Sequence, residues 1–270
     1  MLTDTHCHLN FNNFFNDRVS VIQRAKEAGV DRILNPGINL ESSNEAVELA
    51  NEYSEIYAAV GVHPNEAISW RSEAKEKLRI LSKSTKAVAI GEIGLDYYRD
   101  RAPQQLQIDV FEEQLDLASE LDLPVVIHSR NASSIDIRAI QDTIQILIHW
   151  FDRLPDVNSN LKQVPGVLHS FSGDITAAKL AVENNFLIGI TGPITFKNAE
   201  LLRAVVRDID IDHILIETDA PFLTPSPFRG KRNEPAYVKY IAEKIAEIKE
   251  LPYDFVVNKT KMNSERIFNW

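Results

Sequence analysis

Two histidines near the amino terminus, His6 and His8, have the spacing of a metal site. They belong to Asp4-Thr5-His6-Cys7-His8, a segment that we predict to be the chain's first β-strand. Because side chains on a strand alternate between faces, both imidazoles point the same way, about 7 Å apart along the ribbon. Neutral imidazoles at this spacing can bind one divalent cation. A single pair of this kind is a weak signal, so its value depends on the rest of the chain.

Further ligand-type residues follow short apolar segments later in the chain. Each lies at or just after the carboxyl end of such a segment, and they are Glu92, His128, His169 and Asp219. With the two histidines they give four imidazoles and two carboxylates. Six ligand-type residues are too many for one catalytic zinc ion and suit two divalent ions that share a bridging carboxylate.

The apolar segments recur at regular intervals and predict eight strands. They cover residues 2–8, 31–38, 56–62, 86–91, 124–128, 165–169, 186–191 and 213–218. Stretches with helical periodicity lie between them. This alternation predicts an α/β protein of the (β/α)8 TIM-barrel type, in which the carboxyl ends of the strands converge on one mouth. A doubly wound open sheet is the alternative, but the Gly-x-Gly-x-x-Gly turn that it often carries is absent.

Length and composition fit one soluble globular domain over residues 1–270. Hydrophobic residues make up 44% and charged residues 25%, and barrels of this type commonly run to about 250 residues as one domain. A single cysteine excludes an internal disulfide. The first residues lack the basic and apolar regions of a signal peptide, and no apolar run approaches the roughly 20 residues that span a bilayer. We therefore expect a cytoplasmic protein.

Net charge limits the ways in which this chain could bind a nucleic acid. The formal charge is −10, from 29 basic and 39 acidic residues, so long-range attraction to a polyanion is not favoured. This disfavours a protein that coats a duplex. A pocket that takes a strand end remains open, with bound cations and a few basic residues supplying positive charge.

Several residues near the predicted mouth could bind an anionic substrate. His63 ends a strand and could contact a substrate phosphate or a water ligand, although a structural role is nearly as plausible. Arg130 follows His128 by two residues and could bind the substrate or order a loop through a salt bridge. Arg229, Lys231 and Arg232 lie after the eighth strand, where barrels often bind phosphate. Asn233 is a good helix N-cap for the helix that follows.

The alternation of side chains also predicts supports for the ligands. Asp4 and Glu217 share faces with the ligand residues of their strands, so each should point into the barrel and accept the second N–H of a ligating imidazole. Cys7 and Thr218 should face the surrounding helices.

The segment over about 131–164 carries more apolar residues than one helix face needs. Ile140, Ile144 and Leu147 belong to one stripe, while Ile135 and Trp150 fall outside it. One interpretation is a long helix with a second contact inside the domain. The other is a self-association surface or a cover over the site.

The set of motifs resembles the TatD family of metal-dependent deoxyribonucleases, a branch of the amidohydrolase-like barrels. The resemblance covers essentially the whole chain, and the motifs follow the same order: Asp4-Thr5-His6-Cys7-His8, Gly61-Val62-His63-Pro64, Ile90-Gly91-Glu92-Ile93-Gly94-Leu95-Asp96-Tyr97, Pro124-Val125-Val126-Ile127-His128-Ser129-Arg130, Leu168-His169-Ser170-Phe171-Ser172-Gly173 and Glu217-Thr218-Asp219-Ala220-Pro221. The chain departs from the family pattern between His128 and His169, where it is longer than usual.

The resemblance implies a (β/α)8 barrel that binds two divalent ions, with Mg²⁺, Mn²⁺ or Zn²⁺ as the candidates. His6, His8, Glu92 and Asp219 would hold the first ion. Glu92, His128 and His169 would hold the second, so that Glu92 bridges the pair in the place of the carbamylated lysine of related barrels.

The leading functional hypothesis is hydrolysis of phosphodiester bonds, with DNA ends as the substrate. Asp219 is the candidate general base, and Glu92 bridges the ions. The alternative is an amide, lactone or carboxyl-ester hydrolase, including one that cleaves an acyl-tRNA ester, because the fold and metal pair serve both chemistries. Basic residues at the mouth favour phosphate, whereas an apolar pocket would favour a carbonyl substrate. A binding protein with an inactive site is disfavoured, since all six ligands are present.

Overall fold

Eight parallel strands stand side by side in chain order in this protein, as the repeated strand and helix pattern predicts. The computed structural model describes residues 1–99, 101–133, 135–155 and 159–270. All neighbouring strands are parallel and pair in the order β1 to β8. The strands are β1 Leu2–Asp4, β2 Val30–Pro36, β3 Ile56–Val60, β4 Ala87–Asp96, β5 Val125–Arg130, β6 Gly166–Leu168, β7 Leu187–Ile190 and β8 Ile214–Ile216.

Helices follow the strands and cover the outside of the sheet. They are α1 Arg18–Glu27, α2 Leu40–Glu52, α3 Ser72–Leu81, α4 Gln104–Leu121, α5 Arg138–Arg153, α6 Ile175–Glu183, α7 Glu200–Asp208, α8 Val238–Lys249 and α9 Tyr253–Phe268. Among the described residues, no helix combines the length and the apolarity that crossing a bilayer requires.

The last strand returns to the first and closes the barrel. The Thr5 backbone N–H donates to the Ile216 carbonyl at 3.2 Å, and Cys7 forms an isolated parallel bridge with Ala220. The predicted (β/α)8 TIM barrel is confirmed. The segments after β1 and β8 therefore lie next to each other at the mouth.

Strand side chains alternate between two apolar clusters, as the inner and outer faces of a barrel require. Ile33 and Ile127 belong to the large cluster between strands and helices. Leu34 and Val126, one position away on the same strands, belong to a smaller cluster that includes Phe268 at the end of α9. Cys7 lies in the large cluster and is fully buried, so it faces the helices as predicted.

An irregularity in β4 decides which way Glu92 points. Ile90 pairs with Val125 and Ile93 pairs with Ile127, so three steps along β4 match two steps along β5. An extra residue of this kind is a β-bulge, which reverses the alternation of side chains beyond it. Both isoleucines therefore face the helices, while Glu92 between them faces the interior of the barrel.

Helix α5 occupies most of the segment whose surplus of apolar residues the sequence shows. Trp150, outside the predicted stripe, is 1% exposed and its indole N–H donates to Ser119 Oγ at 2.7 Å. Its ring also packs near Phe186, at a centroid distance of 6.4 Å. This burial matches the interpretation of a second contact within the domain. Ile135, in contrast, is 92% exposed, and residues 134 and 156–158 of the predicted segment lie outside the described residues.

Candidate metal centre

The first group of ligand atoms lies where the segments after β1 and β8 meet. His6 Nε2 and His8 Nε2 are 3.2 Å apart. Glu92 Oε2 lies 3.5 Å from His6 Nε2 and 3.6 Å from His8 Nε2. Asp219 Oδ1 lies 3.9 Å and 3.6 Å from the same nitrogen atoms. Atoms bound at about 2.1 Å in a tetrahedral shell are about 3.4 Å apart, so these four side chains have the spacing of ligands to one cation.

Backbone hydrogen bonds position these side chains beyond the ends of short strands. β1 ends at Asp4 rather than at His8 as predicted, yet the segment after it is bonded on both sides. The Asp219 N–H donates to the His6 carbonyl and the His8 N–H donates to the Ala220 carbonyl, each at 2.8 Å. Asp219 has φ 54°, a left-handed conformation that aspartate adopts more readily than most residues.

A second group forms on the other oxygen of Glu92. Glu92 Oε1 lies 2.8 Å from His128 Nδ1 and 3.7 Å from His63 Nε2. His128 Nε2 lies 3.4 Å from Asp96 Oδ2, at the end of β4. Glu92 thus faces one set of imidazoles with each oxygen, which is the arrangement that a bridging carboxylate requires.

His169 lies on the side of the first group. Its ring stacks on His6 with a centroid distance of 3.4 Å, and its Nε2 is 3.8 Å from Asp219 Oδ1. The resemblance implies His169 as a partner of Glu92 and His128, but the structure brings His63 to those two residues instead. If Glu92, His128 and His169 bind the second ion, that ion must also lie near Asp219, because His169 Nε2 faces Asp219 Oδ1.

One of the two predicted supports contacts an imidazole and the other does not. Glu217 Oε1 lies 2.8 Å from His169 Nδ1, as predicted. Asp4 was expected to do the same, but its Oδ2 accepts a 2.6 Å hydrogen bond from the Thr218 hydroxyl and its Oδ1 accepts one from the Thr218 N–H. The physical reason is that β1 ends at Asp4, so its carboxylate meets the backbone beyond β8 and ties together the two segments that carry the ligands.

Burial keeps the histidines of the first group neutral. Burial lowers the pKa of His8 to about 4, and burial and the nearby His169 lower the pKa of His6 well below its usual value. Burial also lowers the pKa of His63 to about 3. A neutral imidazole is the form that binds a metal ion.

The carboxylates respond in opposite directions. Burial raises the pKa of Asp219 to about 7 and the negative charge of Glu92 adds to this, although His169 opposes it. Burial by itself would raise the pKa of Glu92 too, but His63, His6 and the hydrogen bond from His128 lower it overall. Glu92 is therefore ionised, and a buried anion beside the neutral imidazoles of His6, His8 and His63 fits a divalent cation.

The two remaining histidines have raised pKa values. Burial lowers the pKa of His128, but Asp96 and Glu92 outweigh it and raise the pKa to about 9. Glu217 similarly outweighs burial at His169, where the pKa is also about 9. Binding of a cation to either ring would therefore compete with protons and depend on pH.

The ligand groups form the floor of a cavity of about 810 Å³ at the barrel mouth. Arg130 lines it, as expected for a residue that binds an anionic substrate, and so do Arg99 and Arg101, to which the sequence assigned no role. The aromatic side chains Phe11 and Phe222 line it as well.

The basic loop after β8 lies outside the cavity lining, although Arg229 contacts Phe196, which belongs to that lining. Arg232 pairs with Asp17 at 2.7 Å, the Arg229 guanidinium lies 4.4 Å from the ring centre of Phe196, and Lys231 lies 5.7 Å from that of Phe228. None of the three belongs to the described cavity lining. Asn233 caps no helix, since its amide donates to the Thr218 and Phe222 carbonyls and braces the loop.

The sequence interpretation missed Asp96 and the two arginines of the β4–α4 loop. Asp96 accepts hydrogen bonds from the Tyr98 and Arg99 N–H groups, each at 2.9 Å. The available signal was that Asp96 follows Glu92 by four residues inside one apolar segment. The loop after it carries arginines rather than apolar residues, which indicates a solvent-facing segment at the mouth.

Comparison with known proteins places the chain in a family. A family described as TatD related DNase matches residues 3–269. An uncharacterized metal-dependent hydrolase, YabD of Bacillus subtilis, is 43% identical over 99% of both chains. A protein of Cronobacter turicensis named 3'-5' ssDNA/RNA exonuclease TatD is 34% identical over 98% of this chain and 97% of its own.

A solved structure supports the same assignment at the level of the fold. The TatD homologue YjjV of Escherichia coli superposes with a TM-score of 0.89 at 32% identity, over 100% of this chain and 98% of that one. The similarity covers every strand that carries a ligand residue. The chain therefore belongs to the TatD-related DNase family.

Proposed function

We propose that this protein binds two divalent ions and hydrolyses phosphodiester bonds at an end of a single-stranded nucleic acid. The observation that carries the proposal is the arrangement of Glu92, whose two oxygens face separate groups of buried or half-buried imidazoles 2.8 to 3.7 Å away. His6, His8, Glu92 and Asp219 would hold one ion. Glu92, His128 and His63 would hold the other, with His169 beside Asp219 as a further donor.

Asp219 is the residue that we assign to proton transfer. When bound, two divalent ions lower the pKa of a shared water and neutralise charge on the phosphate oxygens. Asp219 lies at the cavity floor with a side chain that is 15% exposed, so its carboxylate can contact a water in the cavity. A carboxylate within hydrogen-bond reach of the reacting water can act as a general base. Asp219 would take a proton from the attacking water and return one to the leaving oxygen.

The shape and charge of the cavity support a nucleic-acid end as the substrate. Arg99, Arg101 and Arg130 line it, whereas the whole chain carries a charge of −10. Three arginines are thus grouped on one side of the mouth, where they can attract phosphates without drawing a duplex over the whole surface. The name of the Cronobacter relative agrees with a single-stranded substrate cleaved from its 3′ end.

A side-by-side substrate comparison tests the proposal. The protein is stripped of metal with a chelator, dialysed, and reloaded with Mn²⁺, Mg²⁺ or Zn²⁺. Each preparation is offered a single-stranded oligonucleotide labelled at the 5′ end, the same sequence as a blunt duplex, a generic phosphodiester and a panel of carboxyl esters. We expect metal-dependent shortening of the single strand one nucleotide at a time.

The possible results separate the chemistries clearly. Turnover of carboxyl esters without turnover of any phosphodiester would contradict the proposal and support the carbonyl chemistry of related barrels. Full activity after removal of metal would contradict the role of the ligand groups. Cleavage inside a circular single strand would contradict action at an end.

A further inference from the structure

Two unlike sets of side chains face each other across the cavity. The loops after β1 and β8 supply Phe11 and Phe222, which we call the aromatic corner. The loop after β4 and the end of β5 supply Arg99, Arg101 and Arg130, which we call the arginine wall. In a closed barrel with strands in the order β1 to β8, β4 and β5 lie opposite β8 and β1. The ligand groups lie between the two sets.

The aromatic corner is built on a metal-ligand candidate. The ring of Phe11 stacks on His8 with a centroid distance of 4.4 Å and an interplanar angle of 13°. Phe222 stands nearly perpendicular to Phe11, at 6.2 Å and 71°. Phe222 is 51% exposed, which is a high value for a phenylalanine in a protein with a large buried core. One aromatic face is therefore open to the cavity directly beside the first ligand group.

The arginine wall has the opposite character. All three side chains are exposed. Within the described ranges, none of these guanidinium groups forms an ion pair with a carboxylate, and that of Arg130 lies 4.1 Å from the ring centre of Tyr98. Among the described residues of the lining, Glu66 is the acidic side chain outside the ligand groups and Asp96. The wall therefore presents net positive charge to whatever enters from that side.

We propose that the aromatic corner binds the base of the terminal nucleotide and that the arginine wall binds phosphates of the strand behind it. This inference rests on the proposed function and specifies how the same site holds its substrate. Bases stack on aromatic side chains whatever their sequence, and the phosphates of a single strand follow basic residues. With the terminal base bound at the aromatic corner, the last phosphodiester linkage would lie at the ligand groups, so cleavage would be confined to that linkage.

The products of the reaction explain why the terminal base is assigned to the aromatic corner and the remaining strand to the arginine wall. Water oxygen forms a bond to phosphorus, the bond between phosphorus and the 3′ oxygen of the penultimate nucleotide breaks, and that oxygen receives a proton. The terminal nucleotide leaves with the single phosphate that lay at the ligand groups, so it needs a place for one base and no further cation. The remaining strand carries all other phosphates, which fit the side with three arginines.

A fluorescent base tests the corner without relying on turnover. An oligonucleotide with 2-aminopurine at its 3′ end is mixed with an excess of protein in the presence of chelator, because this base loses fluorescence when it stacks on an aromatic ring. We expect quenching with the wild type and with Phe222→Tyr, which keeps an aromatic face. We expect the quenching to be lost with Phe222→Leu, which keeps an apolar side chain of similar size without that face.

Turnover by the metal-loaded enzyme supplies a second readout. Loss of one stacked base weakens binding by about 5- to 100-fold, so Phe222→Leu should raise KM for the oligonucleotide within that range. An oligonucleotide with an abasic 3′ end should show the same loss with the wild type, and little additional loss with Phe222→Leu. Phe15→Leu is the matched control, because Phe15 is 74% exposed and lies outside the described cavity lining.

Several results would overturn the inference. Equal quenching of 2-aminopurine in Phe222→Leu and wild type would do so. An increase in KM in Phe15→Leu as large as that in Phe222→Leu would also do so. A third such result is stronger quenching for 2-aminopurine placed several nucleotides from the end. These outcomes are distinct from failure of the proposed function. A protein that cleaves no phosphodiester but quenches the terminal base would keep the corner as a binding site and lose the hydrolytic role.

Discussion

Glu92 connects the two ligand groups at the scale of single residues. Its Oε2 faces His6 and His8, and its Oε1 faces His63 and His128. A single carboxylate therefore contributes to both groups and fixes the distance between them. Removing it would take a carboxylate ligand from both groups and leave Asp219 as the carboxylate of the first, whereas removing any one histidine would affect one group.

Replacing Asp219 tests the assignment of proton transfer. Asp219→Asn keeps the size of the side chain but removes its basic oxygen, so we expect the rate on an oligonucleotide to fall by about 10²- to 10⁴-fold. The melting temperature should stay close to that of the wild type, because a buried negative charge is removed rather than added. Asp152→Asn is the control, since Asp152 is exposed on α5. Wild-type activity in Asp219→Asn would remove this role.

Replacing Asp96 tests whether the second group holds an ion. Asp96 lies 3.4 Å from His128 Nε2 and is 1% exposed, so Asp96→Asn would remove the charge that orients this ring. Changes of this kind weaken metal binding by about 10- to 100-fold. Titration with Mn²⁺ should show one weakened site and one unchanged site. Asp109→Asn, at an exposed position on α4, should leave both unchanged, and an unchanged Asp96→Asn would exclude a role for this side chain.

The sequence predicted the residues of the first group well and those around it less well. His6, His8, Glu92 and Asp219 follow from the positions of apolar strands, because the ends of strands in a barrel must converge. The place of His63 depends on side-chain rotation rather than on strand order. The basic loop containing Arg232 faces α1 instead of the mouth, where Arg232 pairs with Asp17. Sequence spacing cannot determine the direction of a loop.

The bulge in β4 shows what can and cannot be predicted at the scale of elements. Apolar runs and the alternation with helices predict the strands and their order, since each strand must be buried on both faces. The run from Ala87 to Asp96 contains Gly91 directly before Glu92, and a glycine inside a strand is compatible with a bulge, but it does not fix which residue is extra. Only the pairing register between β4 and β5 shows the extra residue. Without this bulge, Glu92 and His128 would not both face the interior of the barrel.

Helix α5 supplies a prediction about stability. Trp150 is 1% exposed and donates a hydrogen bond to Ser119 on α4, so Trp150→Ala would leave a cavity and remove this hydrogen bond. We expect a loss of about 3–5 kcal/mol in the free energy of unfolding, measured by urea denaturation. Ile135→Ala, at a position that is 92% exposed, should change it by less than about 0.5 kcal/mol. Equal effects would contradict the packing described for α5.

The contact between α1 and β3 supplies a prediction about pH. Burial by itself would raise the pKa of Glu55, but the ion pair with Lys26 at 2.6 Å and nearby hydrogen bonds lower it overall. A carboxyl group with a lower pKa in the folded state stabilises the protein above its unfolded pKa of 4.5, and this stabilisation is lost as the pH falls through the folded value. Urea denaturation from pH 6 downward should therefore show a smaller acid-induced loss of stability in Glu55→Gln than in the wild type. Parallel curves would contradict this contribution.

At the scale of the whole molecule, charge is distributed unevenly. The chain as a whole is acidic, while the cavity carries three arginines on one side and two phenylalanines on the other. The overall charge could be read from the sequence, and it favoured binding of a nucleic acid in a pocket over binding on a broad surface. The opposition of the two sides could not be read in this way, because it depends on the closure of the barrel between β8 and β1.

The central claim is that Glu92 joins two divalent ions at the floor of this cavity. Crystals grown with Mn²⁺ and measured near the manganese absorption edge test it directly, with Glu92→Gln as the matched variant. We predict two anomalous peaks in the wild type, one beside each oxygen of Glu92, and weaker or missing peaks in the variant. A single peak that Glu92 does not contact, or two peaks that are unchanged in Glu92→Gln, would contradict the account.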